Sequence, residues 1–336
     1  MTDTERTPPR GEFAWIAQLV EILGDRARGA IGDDTATIEA DGASWAWTVD
    51  ALVEGVHFRF DWLEPEDVGR RALVSSLSDL AAAGAEPVGA LVVAAGRPAT
   101  IANRIERIYR GIRAAGDEAE CPVLGGDLAR ADGPLHITIT ALGRVRGGTP
   151  LARSGVRAGD ELWVTGSLGG PAAAIALLAA AADGTALAAA RAHPVYERLA
   201  APRARLAEIR WLRERGAIHA AIDVSDGLSG DAGHLAERSG IRIVLEPDRL
   251  PIHPGAVLAA RSLGADAREW ALHGGEEFEL LLAAPAGALE PHAEAFQATF
   301  GILLTRIGAA HLGAGLFERS GGDEQRLHPR SWDHFA

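Results

Sequence analysis

The sequence predicts a protein of the α/β class, of the α+β type, built from two domains. Its 336 residues are enough for two domains of ordinary size, and 47% of them are hydrophobic, so two cores can form. Strand-like and helix-like periodicities alternate along the chain, with several pairings that are typical of antiparallel strands. A segment rich in Gly, Arg and Pro at 144–157 separates the two halves. We therefore expect a flexible tail at 1–10, a first domain at 11–148 and a second domain at 149–336.

The composition excludes several functional classes. All 33 basic residues are arginine, so the chain lacks the lysines of Schiff-base enzymes, phosphate-binding loops and protein kinases. The formal charge is −13 and no basic run is present, which argues against nucleic acid or an anionic membrane surface as a partner. The single cysteine, Cys121, excludes a disulfide framework and suits a reducing cytoplasm. The longest apolar run, 171–182, is too short to span a bilayer, so we expect a cytoplasmic protein.

Periodicity defines the elements of the first half. Apolar residues repeat at helical spacing from Glu12 to Leu23. The stretch from Trp45 to Val53 alternates, which is typical of a half-buried strand and places Asp50 on the face opposite the tryptophans. The elements that follow are a helix from Pro65 to about 83, a strand at 88–95, a helix at 98–115, and strands at 123–127 and 136–143.

The second half continues the alternation. It is predicted to contain a strand at 161–165, an alanine-rich helix at 171–182, a helix at 204–215, an apolar strand leading into 221–228, a helix to about 239, and strands at 241–245 and within 272–282. The glycine loop at 166–170 lacks the spacing and the lysine of a phosphate-binding loop, so we interpret it as a turn. The terminal stretch 331–336 is aromatic where most termini are polar, which indicates that it packs or binds something.

The stretch Ala221–Leu228 brings two carboxylates, Asp223 and Asp226, to the end of an apolar strand. Each carboxylate raises the pKa of the other unless a cation such as Mg²⁺ lies between them. The alternative is a strand that ends in an Asx turn, with Asp226 or Ser229 capping the following helix. The choice depends on whether the chain supplies more acids in similar positions.

Five more acids lie at glycine turns, at strand ends or on a helix face with small neighbours: Asp33, Asp34, Asp50, Asp79 and Asp127. Taken singly, each has an ordinary explanation as part of a turn, a solvated strand end or an exposed helix surface. If they converge, only multivalent cations would hold them together. Oxygen ligands favour Mg²⁺ over zinc, and Mg²⁺ commonly shares its ligands with phosphates. The acids therefore indicate a Mg²⁺ site that would bind a nucleotide.

Two other residues have an ordinary and a functional interpretation. His57 follows Asp50 and Glu54 into a loop, where it is either a surface or hydrogen-bonded histidine or part of a site. Tyr109 stands at the edge of the apolar stripe of the helix at 98–115, and by itself is interpreted as a core residue.

Nine motifs in one order cover nearly the whole chain: Gly11-Glu12-Phe13, IGDD at 31–34, TVDALVEGVHF at 48–58, SLSDLAAAGAEP at 76–87, GGD at 125–127, Arg153-Ser154-Gly155, AIDVSDGL at 221–228, HGGEEFEL at 273–280 and WDHF at 332–335. With these motifs the chain resembles the thiamine-monophosphate kinase family. That family belongs to a superfamily of ATP-using enzymes that includes aminoimidazole ribonucleotide synthetase and selenophosphate synthetase. Selenophosphate synthetase is disfavoured here, because it needs a reactive cysteine or selenocysteine and a lysine near its amino terminus, and this chain has neither.

The resemblance implies that ATP donates its γ-phosphoryl group to thiamine monophosphate, giving thiamine diphosphate and ADP. It implies several Mg²⁺ ions, with Asp33 adjacent to their ligands Asp34, Asp50, Asp79, Asp127, Asp223 and Asp226. The family's metal-site hydroxyl before Asp50 is Val49 here, with Thr48 one step earlier, so Thr48 or Val49 would stand in its place.

The resemblance also assigns the other site residues. It implies contacts with ATP by Tyr109, Gly126, Arg153 and Ser225. It implies contacts with the thiamine substrate by His57, Glu276 and Trp332. Asp127, Arg153 and Asp226 would be catalytic.

At the level of the fold, the resemblance implies a homodimer in which the mixed sheets and helices of the N-terminal domains form a barrel, and a sandwich-like C-terminal α/β domain.

Two alternative functions stay open from the sequence. One is another ATP-dependent synthetase of the same superfamily with a different substrate, and the other is a non-catalytic nucleotide-binding paralogue.

Overall fold

The computed structural model describes residues 11–25, 27, 31–146, 148–332, 334 and 335. The tail predicted at 1–10 lies outside these residues. Within the described part, the chain is of the α+β type and contains two open mixed sheets, one in each half. In the same part, no helix is both long enough and apolar enough to cross a bilayer.

The first half contains α1 (Glu12–Leu23), β1 (Ala36–Ala40), β2 (Ala43–Val53), α2 (Pro65–Ala82), β3 (Ala85–Gly96), α3 (Pro98–Glu118), β4 (Val123–Arg130) and β5 (His136–Val145). Its sheet has the order β1-β2-β5-β3-β4, in which β3 and β4 are parallel and the other pairs are antiparallel. The predicted elements are present with slightly different ends. The sequence analysis did not predict β1, a strand of only five residues that are all exposed.

The second half contains β6 (Asp160–Thr165), α4 (Gly170–Ala180), α5 (Gly184–Arg191), α6 (Tyr196–Ala200), α7 (Leu206–Arg213), β7 (Ala220–Val224), α8 (Leu228–Ser239), β8 (Arg242–Leu245), α9 (Pro254–Leu263), α10 (Ala267–His273), β9 (Glu279–Pro285), α11 (Ala293–Phe300), β10 (Leu304–His311), β11 (Gly315–Ser320) and β12 (Asp323–Arg326). Short 3₁₀ helices lie at Pro247–Arg249 and Glu290–His292. The sheet has the order β12-β11-β8-β10-β6-β9-β7, and only β8 and β11 pair in parallel.

Two features of the second half differ from the expectation. The strand predicted within 272–282 begins only at Glu279, because α10 continues to His273 and the loop 274–278 intervenes. The sequence analysis also did not predict eight further elements, namely α5, α6, α9, α10, α11, β10, β11 and β12. In β10, Gly308, Ala309 and Ala310 have low strand propensity.

The helix α2 lies between the two sheets and supplies side chains to both halves. Pro65 occupies its first turn, and Glu64 and Asp67 form a reciprocal capping box. The helix contacts β2 and β5 of the first sheet and β7 and β9 of the second. Most of its residues are buried.

A pair of glycines sets the contact between α2 and α3. A Cβ at Gly69 would lie 1.9 Å from the carbonyl oxygen of Ile108, and a Cβ at Gly111 would lie 1.9 Å from that of Glu66. The two backbones approach this closely because neither glycine has a side chain. The contact holds α2 against α3 and so fixes the position of its polar residues.

Candidate active site

Three aspartates from separate segments converge beside α2, and we call them the carboxylate cluster. Asp34 lies in the loop before β1, Asp79 lies on α2, and Asp223 lies near the end of β7. One carboxylate oxygen of each lies within 4.8 Å of the other two. Asp223 is 2% exposed and the Asp34 side chain is 5% exposed. Carboxylates this close and this buried need protons or a cation between them.

Neighbouring groups orient these carboxylates. The Thr48 hydroxyl donates to Oδ2 of Asp79, and the Ser78 hydroxyl donates to Oδ2 of Asp223 at 2.6 Å. Asp50 follows Thr48 on the same face of β2, and its buried Oδ2 has no hydrogen-bond partner among the described residues. A buried carboxylate oxygen without a donor fits a hard cation. Because all of the possible metal-ligand atoms are oxygens, the residues present fit Mg²⁺.

Burial controls the protonation of the cluster. It raises the pKa of Asp34 to about 6, although the adjacent Arg153 guanidinium opposes it. Burial, and after it the neighbouring carboxylates, raise the pKa values of Asp79 and Asp223 well above the ordinary range. Burial also raises the pKa of Asp50. Without a cation the cluster therefore retains protons, and a cation that binds there would displace them.

Arg153 joins the cluster to the second half. Its Nη2 and Nε donate to Oδ1 of Asp34 at 2.5 Å and 3.0 Å. Its backbone N–H donates to Oδ1 of Asp33 at 2.8 Å. The Arg153 side chain is 20% exposed, so its guanidinium can also face a phosphate. Asp33 thus positions the backbone of Arg153, whereas Asp34 belongs to the cluster.

Glu276 and Trp332 meet at the turn after β7. The Glu276 N–H donates to the carbonyl oxygen of Ser225 at 2.6 Å, and the Trp332 N–H donates to that of Asp226 at 3.2 Å. Glu276 has a φ of 63°, a left-handed conformation that non-glycine residues rarely adopt. Two of the three predicted substrate residues therefore hydrogen-bond to the segment that carries Asp223 and Asp226.

His57, the third predicted substrate residue, packs against the chain terminus. The ring centroids of His57 and His334 are 4.9 Å apart, and those of His334 and Trp332 are 5.8 Å apart. The Val53 N–H donates to Nδ1 of His57 at 3.0 Å, which assigns the ring proton to Nε2. Burial, followed by the charges of His334 and Arg71, lowers the pKa of His57 to about 4. His57 is therefore neutral at pH 7.

Three predicted metal ligands do not belong to the carboxylate cluster. Asp127 is exposed on β4, where the strand register pairs it with Val93. Val49 is 63% exposed on the face of β2 opposite Thr48, and because its side chain carries no ligand atom, only its backbone could serve as a ligand. Asp226 lies in the turn next to the cluster, but its carboxylate is not one of the three that come within 4.8 Å.

Two predicted ATP contacts have structural reasons of their own. A Cβ at Gly126 would lie 1.8 Å from the carbonyl oxygen of Val92, so glycine is required for the pairing of β3 and β4. Tyr109 is partly buried against the core of the first half, which raises the pKa of its hydroxyl. These structural roles of Gly126 and Tyr109 are independent of whether the two residues contact ATP.

The sequence interpretation missed Arg71, Ser78 and Asp231. A signal for the first two exists, because Arg71, Ser78 and Asp79 are spaced i, i+7 and i+8 and so share one face of α2. A polar stripe in a helix that is otherwise buried indicates internal polar contacts. Asp231 is 2% exposed and accepts a hydrogen bond from the Gly227 N–H at 3.2 Å, at the start of α8.

A buried ion network supports the loop that carries Glu276. Arg205 donates to both oxygens of Glu279, at 2.7 Å and 2.5 Å. Arg198 donates to Glu279 at 2.9 Å and to Glu277 at 3.3 Å. Burial raises the pKa of Glu277 to about 8, whereas for Glu279 the two arginines outweigh burial and lower the pKa. The residues on the carboxyl side of Glu276 are thus rigidly held.

The sequence matches two family descriptions, "AIR synthase related protein, N-terminal domain" over residues 32–145 and "AIR synthase related protein, C-terminal domain" over residues 157–308. Thiamine-monophosphate kinase of Aquifex aeolicus is 30% identical over 329 residues, which cover 97% of this chain and 98% of the relative. The enzyme of Rhodopirellula baltica is 34% identical over 329 residues, which cover 97% and 94%. The solved structure of AaThiL complexed with AMPPCP and TMP is 30% identical, has a TM-score of 0.84, and is matched over 99% of this chain and 100% of that chain.

Proposed function

The chain belongs to the thiamine-monophosphate kinase family of AIR synthase-related proteins, and from this premise we propose that the carboxylate cluster, the loop 274–278 and the carboxy-terminal segment form one active site. The protein is a kinase that transfers a phosphoryl group from ATP to thiamine monophosphate. The observation that carries the site proposal is the convergence of Asp34, Asp79 and Asp223, from both halves, next to the turn bound by Glu276 and Trp332.

The carboxylate cluster, together with Asp50, would hold Mg²⁺, and we propose Asp226 as a further ligand. Asp127 pairs with Val93 on the outer face of the first sheet, so we propose that it contributes to a Mg²⁺ site only where a second subunit covers that face. When bound, Mg²⁺ neutralises phosphate charge and brings the nucleotide to the acids. Thr48 and Ser78 would keep the carboxylates of Asp79 and Asp223 in their orientations. The ligand set draws on both halves of the chain, so it would form only in the folded protein.

Phosphoryl transfer here needs alignment more than proton removal. The second pKa of a phosphate monoester is about 6, so the attacking oxygen of thiamine monophosphate is mostly deprotonated at neutral pH. We therefore propose direct transfer without a phospho-enzyme, with charge stabilisation as the main requirement. Arg153 would supply positive charge to the transferred group, while Gly126, Ser225 and Tyr109 would contact ATP.

The other end of the site suits a cation. The thiazolium ring of the substrate is positively charged, and the neutral His57 does not repel it. The indole of Trp332 is 55% exposed, and stacking on a cation contributes about 0.5–2 kcal/mol. The Glu276 side chain is 27% exposed and would attract the same charge.

We further propose a homodimer formed through the outer face of the first sheet, which contains Val49, Leu91 and Val93. Val49 and Leu91 both pair with Thr140 of β5, so they project from one face, and they are 63% and 47% exposed. Exposed apolar sheet faces of this kind are typical of subunit interfaces. We also propose that the boundary between the two domains lies at residue 148. We propose a cytoplasmic location for the protein, since ATP is available there.

An ADP-release assay with and without thiamine monophosphate tests the function. We expect ADP release to require both Mg²⁺ and thiamine monophosphate and to yield thiamine diphosphate. Release without thiamine monophosphate, or no release at all, would contradict the assignment.

Substitutions test the site within the same assay. Asp223→Asn, Asp127→Asn and Asp226→Asn should each lower kcat by about 10²-fold or more, because each removes charge that the transition state needs. Asp160→Asn is the matched control, since Asp160 is 3% exposed but pairs with His219 rather than with the cluster. Wild-type turnover in Asp127→Asn and Asp226→Asn would remove these two residues from the proposed ligand set.

A further inference from the structure

Arg71 is a buried arginine that the reaction, as described so far, does not use. It lies on α2 with 2% of its residue surface exposed. Its Nη1 donates to the carbonyl oxygen of Leu199 at 2.8 Å, at the end of α6. Its Nη2 donates to Oε1 of Glu276 at 2.5 Å and to the carbonyl oxygen of His57 at 3.4 Å.

These contacts join the two halves at one point. Arg71 and His57 belong to the first half, whereas Leu199 and Glu276 belong to the second, and Glu276 lies 205 residues from Arg71 in the sequence. A guanidinium presents its donors in a fixed planar fork, so binding three acceptors fixes the positions of those acceptors relative to one another. The groups so fixed include two of the three proposed substrate residues.

The burial of Arg71 shows how it would act. Its side chain is covered, while the Glu276 side chain that it pairs with is 27% exposed. Arg71 therefore reaches the substrate pocket only through Glu276 and the His57 loop. The left-handed backbone of Glu276 adds a second reason for an anchor, because a conformation of this kind persists only where surrounding contacts hold it.

We propose that Arg71 is a positioning residue for the thiamine-phosphate subsite: its guanidinium holds the Glu276 carboxylate and the His57 loop in the mutual arrangement that binds the thiamine end of the substrate. This inference rests on the proposed function. It predicts an effect on one substrate and not on the other, because the contacts of Arg71 lie at the Glu276 and His57 end and not at the carboxylate cluster.

The test measures KM for thiamine monophosphate and for ATP in Arg71→Ala, Arg71→Lys and wild type. Arg71→Ala should raise KM for thiamine monophosphate by about tenfold or more and change KM for ATP by less than about threefold, because misplaced binding groups weaken only the interactions they make. Arg71→Lys should recover part of the loss, since an ammonium can pair with Glu276 but cannot reproduce the planar fork.

The matched control is Arg70→Ala. Arg70 is the neighbouring residue on the same helix, and its Nη2 pairs with Oε1 of Glu118 at 2.5 Å, away from the Glu276 loop. Both KM values should stay at the wild-type level in this variant.

The outcomes of this test distinguish failure of the inference from failure of the proposed function. A rise confined to thiamine monophosphate in Arg71→Ala, with partial recovery in Arg71→Lys, supports it. An unchanged KM for thiamine monophosphate, or an equal rise for both substrates, overturns it. If Arg71→Ala does not fold, Arg71→Lys and Glu276→Gln take its place, and a wild-type KM for thiamine monophosphate in both overturns it. Wild-type protein without thiamine-monophosphate-dependent ADP release would instead refute the proposed function.

Discussion

At the residue scale, the face of a strand decides what a side chain can do. Thr48 and Val49 are neighbours at the position of the family's metal-site hydroxyl, yet they point to opposite sides of β2. Thr48 is 7% exposed and bonds to Asp79, whereas Val49 is 63% exposed on the outer face. The hydroxyl at this place is therefore a partner of a carboxylate, and Val49 contributes to an apolar surface.

The protonation of the three acids of the carboxylate cluster should make stabilisation by Mg²⁺ depend on pH. The folded-state pKa of Asp34 is raised from 3.8 to about 6, and burial raises those of Asp79 and Asp223 well above the ordinary range. Their contribution to stability is therefore present below pH 3.8 and is lost as the pH rises through 6 and above. Because Mg²⁺ binds the deprotonated acids, its stabilising effect should grow over the same range.

The measurement is the thermal unfolding midpoint with EDTA and with Mg²⁺ at pH 5, 6 and 7.5. We expect the increase on adding Mg²⁺ to be smallest at pH 5 and largest at pH 7.5. Asp223→Asn is the control and should reduce the increase at pH 7.5. An equal increase at all three pH values in wild type would contradict the assignment of these acids to a metal site.

At the scale of elements, the carboxy-terminal segment 329–332 packs on α8 over two glycines, Gly230 and Gly233, which it approaches to different distances. A Cβ at Gly230 would lie 2.4 Å from Cβ of Ser331, which forces a shift. A Cβ at Gly233 would lie 3.5 Å from Cγ of Pro329, an ordinary contact. Gly230 is thus required for the path that brings Trp332 to the turn after β7.

Gly230→Ala should raise KM for thiamine monophosphate more than KM for ATP, because displacing Ser331 moves the adjacent Trp332. The effect should be in the same direction as that of Trp332→Ala, which should raise KM for thiamine monophosphate by about 2–30-fold through the loss of a cation–π contact. Steady-state kinetics with each substrate varied provide the measurement. Gly233→Ala on the same helix should leave both KM values unchanged, and an unchanged KM for thiamine monophosphate in Gly230→Ala would count against the role of the segment.

At the scale of the whole molecule, the two halves meet through polar contacts that need one residue from each half. Asp34 pairs with Arg153, Ser78 with Asp223, and Arg71 with Glu276. Each pair links a residue of the first half to one of the second. The proposed site therefore lies at the junction of the two halves.

The proposed dimer should depend on the apolar outer face of the first sheet. Leu91→Glu places a charge in the outer face of the first sheet, and it should convert a dimer into a monomer of 35.2 kDa, because a buried unpaired charge opposes association. Light scattering coupled to gel filtration gives the mass. Leu258→Glu is the control, since Leu258 is 53% exposed on α9, outside that face, and the mass should remain that of the dimer. A monomeric wild-type protein would refute the proposal.

Periodicities and motifs are local properties of a chain, so they were enough to predict the α+β type, most of the helices and strands, the acidic residues and the family resemblance. Which acids meet depends on the packing of whole elements. Asp34, Asp79 and Asp223 converge because α2 lies between the two sheets, whereas Asp127 is carried to an exposed strand. The tertiary structure also revealed Arg71, whose partners are far away in the sequence and leave no local pattern beyond a polar position on a buried helix. Contacts of this kind depend on how whole elements pack, and no short stretch of sequence contains that information.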